Sequence, residues 1–274
     1  MHVVLTIVAV LTGAFILAAL LYLTVLIRPK TKFAADSALL CDYAHRGLHD
    51  DAIPENSLAA FECACKAGVG IELDVQFSRD GEVMVFHDFD LRRMTGEEGK
   101  LRHRDCADLQ TLKLQESDQT IPTLAEVLRL VDGRVPLLVE LKGEELNTSL
   151  CDAVGALMEA YDGPYCLESF NPLLVRRIRK RLPTAFCGLL YTNLCRDKDS
   201  HSLLHLLGTS MALCGLARPH FIAYNQRDRN ALPVRVATGL YKAPRFVWTI
   251  RSEEELSEAR RRGEYPIFED LPLS

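Results

Sequence analysis

The strongest chemical signal in the chain is a pair of carboxylates two positions apart, Glu72-Leu73-Asp74. On a strand, residues i and i+2 project to one face, so both acids point the same way and Leu73 the other. Two adjacent anions repel unless a cation lies between them. Glu140, on another strand, offers a third oxygen ligand, and an open all-oxygen set suits Mg²⁺ or Ca²⁺ rather than zinc. A solvated rim of paired carboxylates is the structural alternative. His45 and His87 are the candidate acid and base, because histidine alone changes charge near neutral pH without a special environment. Arg46 supplies a planar fork for a phosphate and Lys142 a point charge on the same strand face as Glu140. Together these residues point to phosphoester chemistry with one divalent metal ion.

Such groups meet only if strands carry them to a common rim. Apolar runs read as strands at Leu40–Ala44, Gly70–Val75, Val83–Phe86, Pro136–Lys142, Tyr165–Ser169, Ala185–Tyr191, Phe221–Tyr224, Arg245–Ile250 and Pro266–Phe268. Amphipathic helices fall between most of them. Asn56 is the expected N-cap of a helix reaching Gly68, and Thr123-Leu-Ala-Glu126 has capping-box spacing. Further helices are expected near Asn147–Tyr161, Asn171–Leu182, His201–Cys214, Arg227–Thr238 and Ser252–Arg262. Strands alternating with helices over this length predict a (β/α)8 TIM barrel, whose active sites lie at the C-terminal strand ends. His45, Glu72, Asp74, His87, Glu140, Lys142, Glu168, Ser169 and Trp248 all close apolar runs. The segment Met94–Leu124 is too long for a simple connection and is expected to cover the pocket.

Taken in order, His45-Arg46-Gly47, Pro54-Glu55-Asn56-Ser57, Glu72-Leu-Asp74-Val, Asp80-Gly81 and His87-Asp88 resemble the glycerophosphodiester phosphodiesterase family. The resemblance continues through Leu91-Arg-Arg-Met-Thr95-Gly96, Ile121-Pro122-Thr-Leu124, Val139-Glu140-Leu-Lys142, Ser169-Phe170 and Val247-Trp248-Thr249. It implies a (β/α)8 barrel, a divalent metal, and hydrolysis of small glycerophosphodiesters to glycerol 3-phosphate and an alcohol. Glu72, Asp74 and Glu140 would be the metal ligands, His45 and His87 the acid/base pair, and Arg46 and Lys142 the phosphate holders. Trp248 would wall off the glycerol. One departure stands at the end of the last strand, where Glu269 replaces the family's threonine and faces either the pocket or solvent.

No charged side chain occurs from Val3 to Ile27, long enough to cross a bilayer core about 30 Å thick. A cleaved signal peptide would want basic residues ahead of the span, and Met1-His2 supply none; a buried core helix is the other alternative. Residues 1–29 are thus expected to be a single-pass anchor, 30–39 a linker and 40–274 the barrel. Arg28, Lys30 and Lys32 follow the span, so the barrel is expected in the cytoplasm, as nine cysteines with no CxxC pair also favour; an exported catalytic domain held by an uncleaved signal is the competing placement. A formal charge of −5 argues against nucleic acid as a partner. The anchor keeps a lysophospholipase D acting on membrane lysophospholipids in view as a rival, and a non-catalytic headgroup-binding barrel is a third reading. His201 and His205 have metal-pair spacing but lack the glutamate of a metalloprotease helix.

Overall fold

The computed structural model describes residues 1–30, 36–143 and 147–271, so the central part of the expected linker lies outside the described residues. Among the described residues nine strands form: β1 Tyr43–Ala44, β2 Gly70–Phe77, β3 Val83–Val85, β4 Leu137–Leu141, β5 Tyr165–Ser169, β6 Phe186–Tyr191, β7 Phe221–Asn225, β8 Arg245–Ile250 and β9 Tyr265–Phe268. Eight of them, β1, β2 and β4 to β9, pair in parallel around a closed barrel, with β1 bonded to both β2 and β9. The expected TIM barrel is therefore present.

The Val83–Phe86 run is not a barrel stave. β3 pairs antiparallel with the end of β2, Val75 opposite Val85 and Phe77 opposite Val83. The turn through Ser78–Glu82 is far too short for a parallel crossover, which needs a dozen residues or more. His87 consequently reaches the rim on a hairpin arm.

Period-two alternation sorts each stave. In β2 and β4, Ile71, Leu73, Val75, Leu137, Val139 and Leu141 pack outward against the helices. The inward rows are apolar low in the barrel, where Tyr43, Leu138, Phe186, Phe221, Phe246 and Ile267 cluster. Higher up the same rows carry Glu72, Asp74, Glu140 and Glu168, all buried. Burying aromatic area at the bottom holds the staves in register, and that register positions the acids.

Several helix boundaries differ from expectation. Ser57, not Asn56, caps Leu58–Ala67, its hydroxyl accepting from the Ala60 amide at 3.1 Å. The capping box of Thr123 and Glu126 forms in both directions. The expected His201–Cys214 helix divides into Leu203–Thr209 and Cys214–Ala217, and Arg227–Thr238 becomes a short helix Leu232–Arg235 running into a π turn, Val236–Leu240. The segment after Met94 has no long element. Its Leu101, Leu109, Leu114 and Ile121 pack with Met84 and Phe86 into a small separate core beside the rim. Helix His2–Leu21, extended by a π turn to Leu26, has a mean hydropathy of 2.7 in its most apolar window, none of which is buried. Length and composition fit a membrane span, criteria that a signal sequence or the core helix of a soluble protein also meets.

Candidate active site

Strand register sets out the acids. Asp74 of β2 lies opposite Glu140 of β4, which lies opposite Glu168 of β5, giving three carboxylates in one row across adjacent staves. Glu72 sits one pleat lower on the same face. Oxygen atoms of Glu72, Asp74 and Glu140 fall within 4.8 Å of one another, close enough to share one ion. Burial, then repulsion from Asp74, Glu140 and Glu168, pushes the Glu72 carboxyl well above the usual range. Glu168 is pushed up in the same way, and among the described residues its Oε2 has no hydrogen-bond partner. Asp74 behaves oppositely. Burial would raise it, but Lys142, His87, Arg46 and the Asn56 amide outweigh that and hold it far below the ordinary carboxylate range. Lys142 Nζ stands 2.9 Å from Asp74 and 3.1 Å from Glu140. A buried cluster of hard carboxylate oxygens is a donor set that could hold a divalent metal ion, and Lys142 offsets part of its charge.

His45 extends β1, its amide donating to the Phe268 carbonyl of β9 at 2.8 Å. Its Nδ1 faces Glu269 in a short hydrogen bond, and its Nε2 lies 4.0 Å from Glu72. Glu269 is fixed from behind by Arg251 Nε at 2.7 Å; although burial opposes it, His45 and Arg251 bring its carboxyl down to about 2. His87, a third exposed, pairs its Nδ1 with Asp88 at 2.6 Å, and Arg93 donates to the other oxygen of Asp88 at 2.5 Å. Each histidine thus has its Nδ1 held by a carboxylate, an arrangement that fixes the tautomer.

Arg46 has a positive φ of 55° and turns its backbone amide onto Glu72 at 3.0 Å. Its guanidinium reaches Glu55 at 2.8 Å and lies 3.6 Å from Asp74. Glu55 also takes two bonds from Arg93, so one carboxylate ties the β1 loop to the segment after His87. Asn56, φ 54°, donates its amide to Asp74 at 2.9 Å instead of capping the helix. Trp248 meets Phe170 edge-on, centroids 5.7 Å apart. The structure therefore brings His45, Arg46, Glu72, Asp74, His87, Glu140 and Lys142 together at one rim. Glu55, Arg93 and Asn56 lie within the family-like motifs, but motif position alone gives no role to Glu55, Arg93 or Glu168, and Asn56 binds Asp74 in place of the helix cap expected of it.

The sequence profile of the glycerophosphoryl diester phosphodiesterase family matches residues 45–273. The chain belongs to that family. It is a phosphoric diester hydrolase by that membership. A glycerophosphodiester phosphodiesterase of Caldanaerobacter subterraneus subsp. tengcongensis is 28% identical over 248 residues, covering 84% of this chain and 93% of the relative. YhdW of Bacillus subtilis is 33% identical over 246 residues with the same coverage. Among solved structures, an Oleispira antarctica phosphodiesterase in complex with the product sn-glycerol-3-phosphate superposes with a TM-score of 0.72 at 24% identity, covering 86% of this chain and 95% of that one. The glycerophosphodiester phosphodiesterase of Thermotoga maritima gives 0.62 at 26% identity, with 84% and 94% covered.

Proposed function

We propose that the chain hydrolyses glycerophosphodiesters to glycerol 3-phosphate and an alcohol, using one divalent metal ion, Mg²⁺ or Ca²⁺, held by Glu72, Asp74 and Glu140. The observation that carries this reading is a buried carboxylate triad flanked by two histidines, each backed by its own carboxylate. The bound ion supplies Lewis-acid polarisation of the phosphoryl group. His45, deep beside Glu72 with Nδ1 engaged by Glu269, keeps Nε2 to accept a proton from the attacking hydroxyl. His87, nearer solvent, delivers a proton to the departing alcohol oxygen. Arg46 and Lys142 hold the phosphate and offset its charge, and Trp248 with Phe170 gives an apolar wall for the glycerol carbons.

The test is incubation of the full chain and metal with glycerophosphocholine, glycerophosphoethanolamine and glycerophosphoglycerol, following products by phosphorus NMR. Glycerol 3-phosphate should appear from each. Release of phosphocholine instead would place the cut on the wrong side of phosphorus and sink the assignment.

In this reading Glu269 is a positioning residue. Glu269→Gln should lower kcat roughly tenfold to a hundredfold, the order seen when an outer partner of a functional histidine is removed, with KM within about twofold. Glu269→Asp should recover part of the loss. A change confined to KM would show that the carboxylate binds substrate and does not orient His45.

The N-terminal helix is proposed as a single-pass anchor, with Arg28 and Lys30 just beyond it placing the barrel on the cytoplasmic side.

A further inference from the structure

Helix Pro172–Arg181, on the outside of the barrel, carries five cations that divide by face. Arg177 reaches Asp152 at 2.7 Å and Arg181 pairs with Glu159, both acids standing on the preceding helix, Ser149–Glu159. Arg176, Arg179 and Lys180 turn the other way, toward the short helix Cys214–Ala217, and with Arg218 they line an open recess of about 360 Å³. Among the described residues none of these four is ion-paired with a carboxylate. Composition explains it, since no Asp or Glu occurs from residue 1 to 35 or from 200 to 227, the stretches packed beside that face.

Arg179 is pinned in place. Its Nη1 donates to the Ala217 carbonyl at 2.9 Å, its Nε is buried with no partner, and burial with repulsion from Arg218 holds its guanidinium below the ordinary value. Burying a cation with no anion beside it is unfavourable, and a fold keeps such an arrangement where it serves a function.

The recess opens beside the end of the apolar N-terminal helix. Gly215 on its wall lies so close that a methyl there would run into the Val25 carbonyl, and Lys30 donates its amide to the Pro219 carbonyl at 2.8 Å. Burial, then the charges of Arg179 and Lys30, pushes the His220 ring down to about 3, so Lys30 belongs to the same positive field. The apolar helix His2–Leu26 has 25 residues, roughly 35 Å against a hydrocarbon core of about 30 Å, which sets its last turn among lipid headgroups when it spans a bilayer. Exposed apolar surface gathers at that level. Val25 and Leu216 form a lip beside the cations, and exposed Leu240 precedes Tyr241, whose hydroxyl donates to the Leu23 carbonyl. A free phosphate gains nothing from such a lip, whereas a lipid carries hydrocarbon just past its phosphate.

We propose that this recess binds the phosphate of an anionic phospholipid in the leaflet beside the barrel, with Arg176, Arg179, Lys180 and Arg218 around its oxygens and its acyl chains along Val25 and Leu216. Basic recesses at the ends of membrane spans recognise headgroups in this way. The proposal takes the N-terminal helix as a membrane span and is independent of the phosphodiesterase reading, because the recess lies outside the helix layer and the carboxylate triad inside the barrel.

The full chain in a mild non-ionic detergent, with a chelator to silence turnover, is titrated with dioleoylphosphatidylglycerol or dioleoylphosphatidylcholine while native mass spectrometry counts the lipid retained. Each basic side chain at an anionic surface is worth about fivefold. One phosphatidylglycerol should therefore be held per chain at least tenfold more tightly than phosphatidylcholine, and millimolar inorganic phosphate should displace little of it. Arg176→Gln with Lys180→Gln, both exposed positions, should cut that preference at least fivefold. Arg177→Gln with Arg181→Gln removes equal charge from the other face of the same helix and should leave the preference within twofold. Equal retention of the two lipids overturns the proposal. Equal loss in the two double variants overturns it as well, because the effect would then be net charge and not the recess. Displacement of the lipid by millimolar inorganic phosphate assigns the recess to a soluble phosphate and overturns the lipid assignment.

Discussion

His45→Ala should lower kcat by roughly 10²- to 10⁴-fold, the contribution of one positioned acid or base, with little change in KM or in unfolding temperature. The side chain contributes chemistry more than packing. It is partly exposed, its backbone bond to Phe268 survives the substitution, and its ring nitrogens face Glu269 and Glu72. His87→Ala should cost a similar factor on its hairpin arm, where Asp88 and Arg93 would be left paired. Because the proposed mechanism gives the two histidines one proton transfer cycle, the double variant should lose far less than the product of the single losses. Steady-state rates on glycerophosphocholine, alongside thermal unfolding of each variant, check this. Residual turnover within tenfold of the parent in either single variant would remove that histidine from the proposed pair.

The proposed acid/base pair also shows where local sequence stopped being informative. Same-face projection of Glu72 and Asp74 follows from the strand period alone, so the pair was legible without a fold. Glu168 was recognisable as a rim residue, but its place in the Asp74–Glu140 row depends on inter-strand register, which no local pattern encodes. The Glu269 contact is more remote. It joins residues 224 positions apart and exists because β9 closes against β1, so the sequence left that carboxylate between pocket and solvent. Asn56 and Ser57 are equally good caps by residue type. Backbone geometry decides between them, since the positive φ of Asn56 turns its side chain away from the helix and onto Asp74. The β3 hairpin was misplaced for a different reason: a short apolar run looks alike in a stave and in an arm, and only the brevity of the Ser78–Glu82 turn separates them.

Glu72→Gln should move activity and metal-free stability in opposite directions. As a proposed metal ligand, loss of its charge should cost about 4 kcal/mol of transition-state stabilisation, near a thousandfold in kcat/KM. Stability follows from burial. The carboxyl is held well above its ordinary value by burial and by Asp74, Glu140 and Glu168, so at neutral pH the fold carries an unfavourable group that a neutral amide replaces. The glutamine oxygen can still accept the Arg46 amide. Since the folded pKa lies above the unfolded one, the penalty is absent below about pH 4, where both states are protonated, and grows as pH rises through the unfolded value. The metal-free variant should therefore unfold at a higher temperature than the parent at pH 7 to 8, and the two curves should converge near pH 4. Adding Mg²⁺ or Ca²⁺ should reverse the order, because the parent gains binding free energy that the variant has lost. Thermal unfolding with a chelator and with millimolar metal, across that pH range, measures all three effects. A purely structural Glu72 would lower stability with and without metal alike, and that result would remove it from the ligand set.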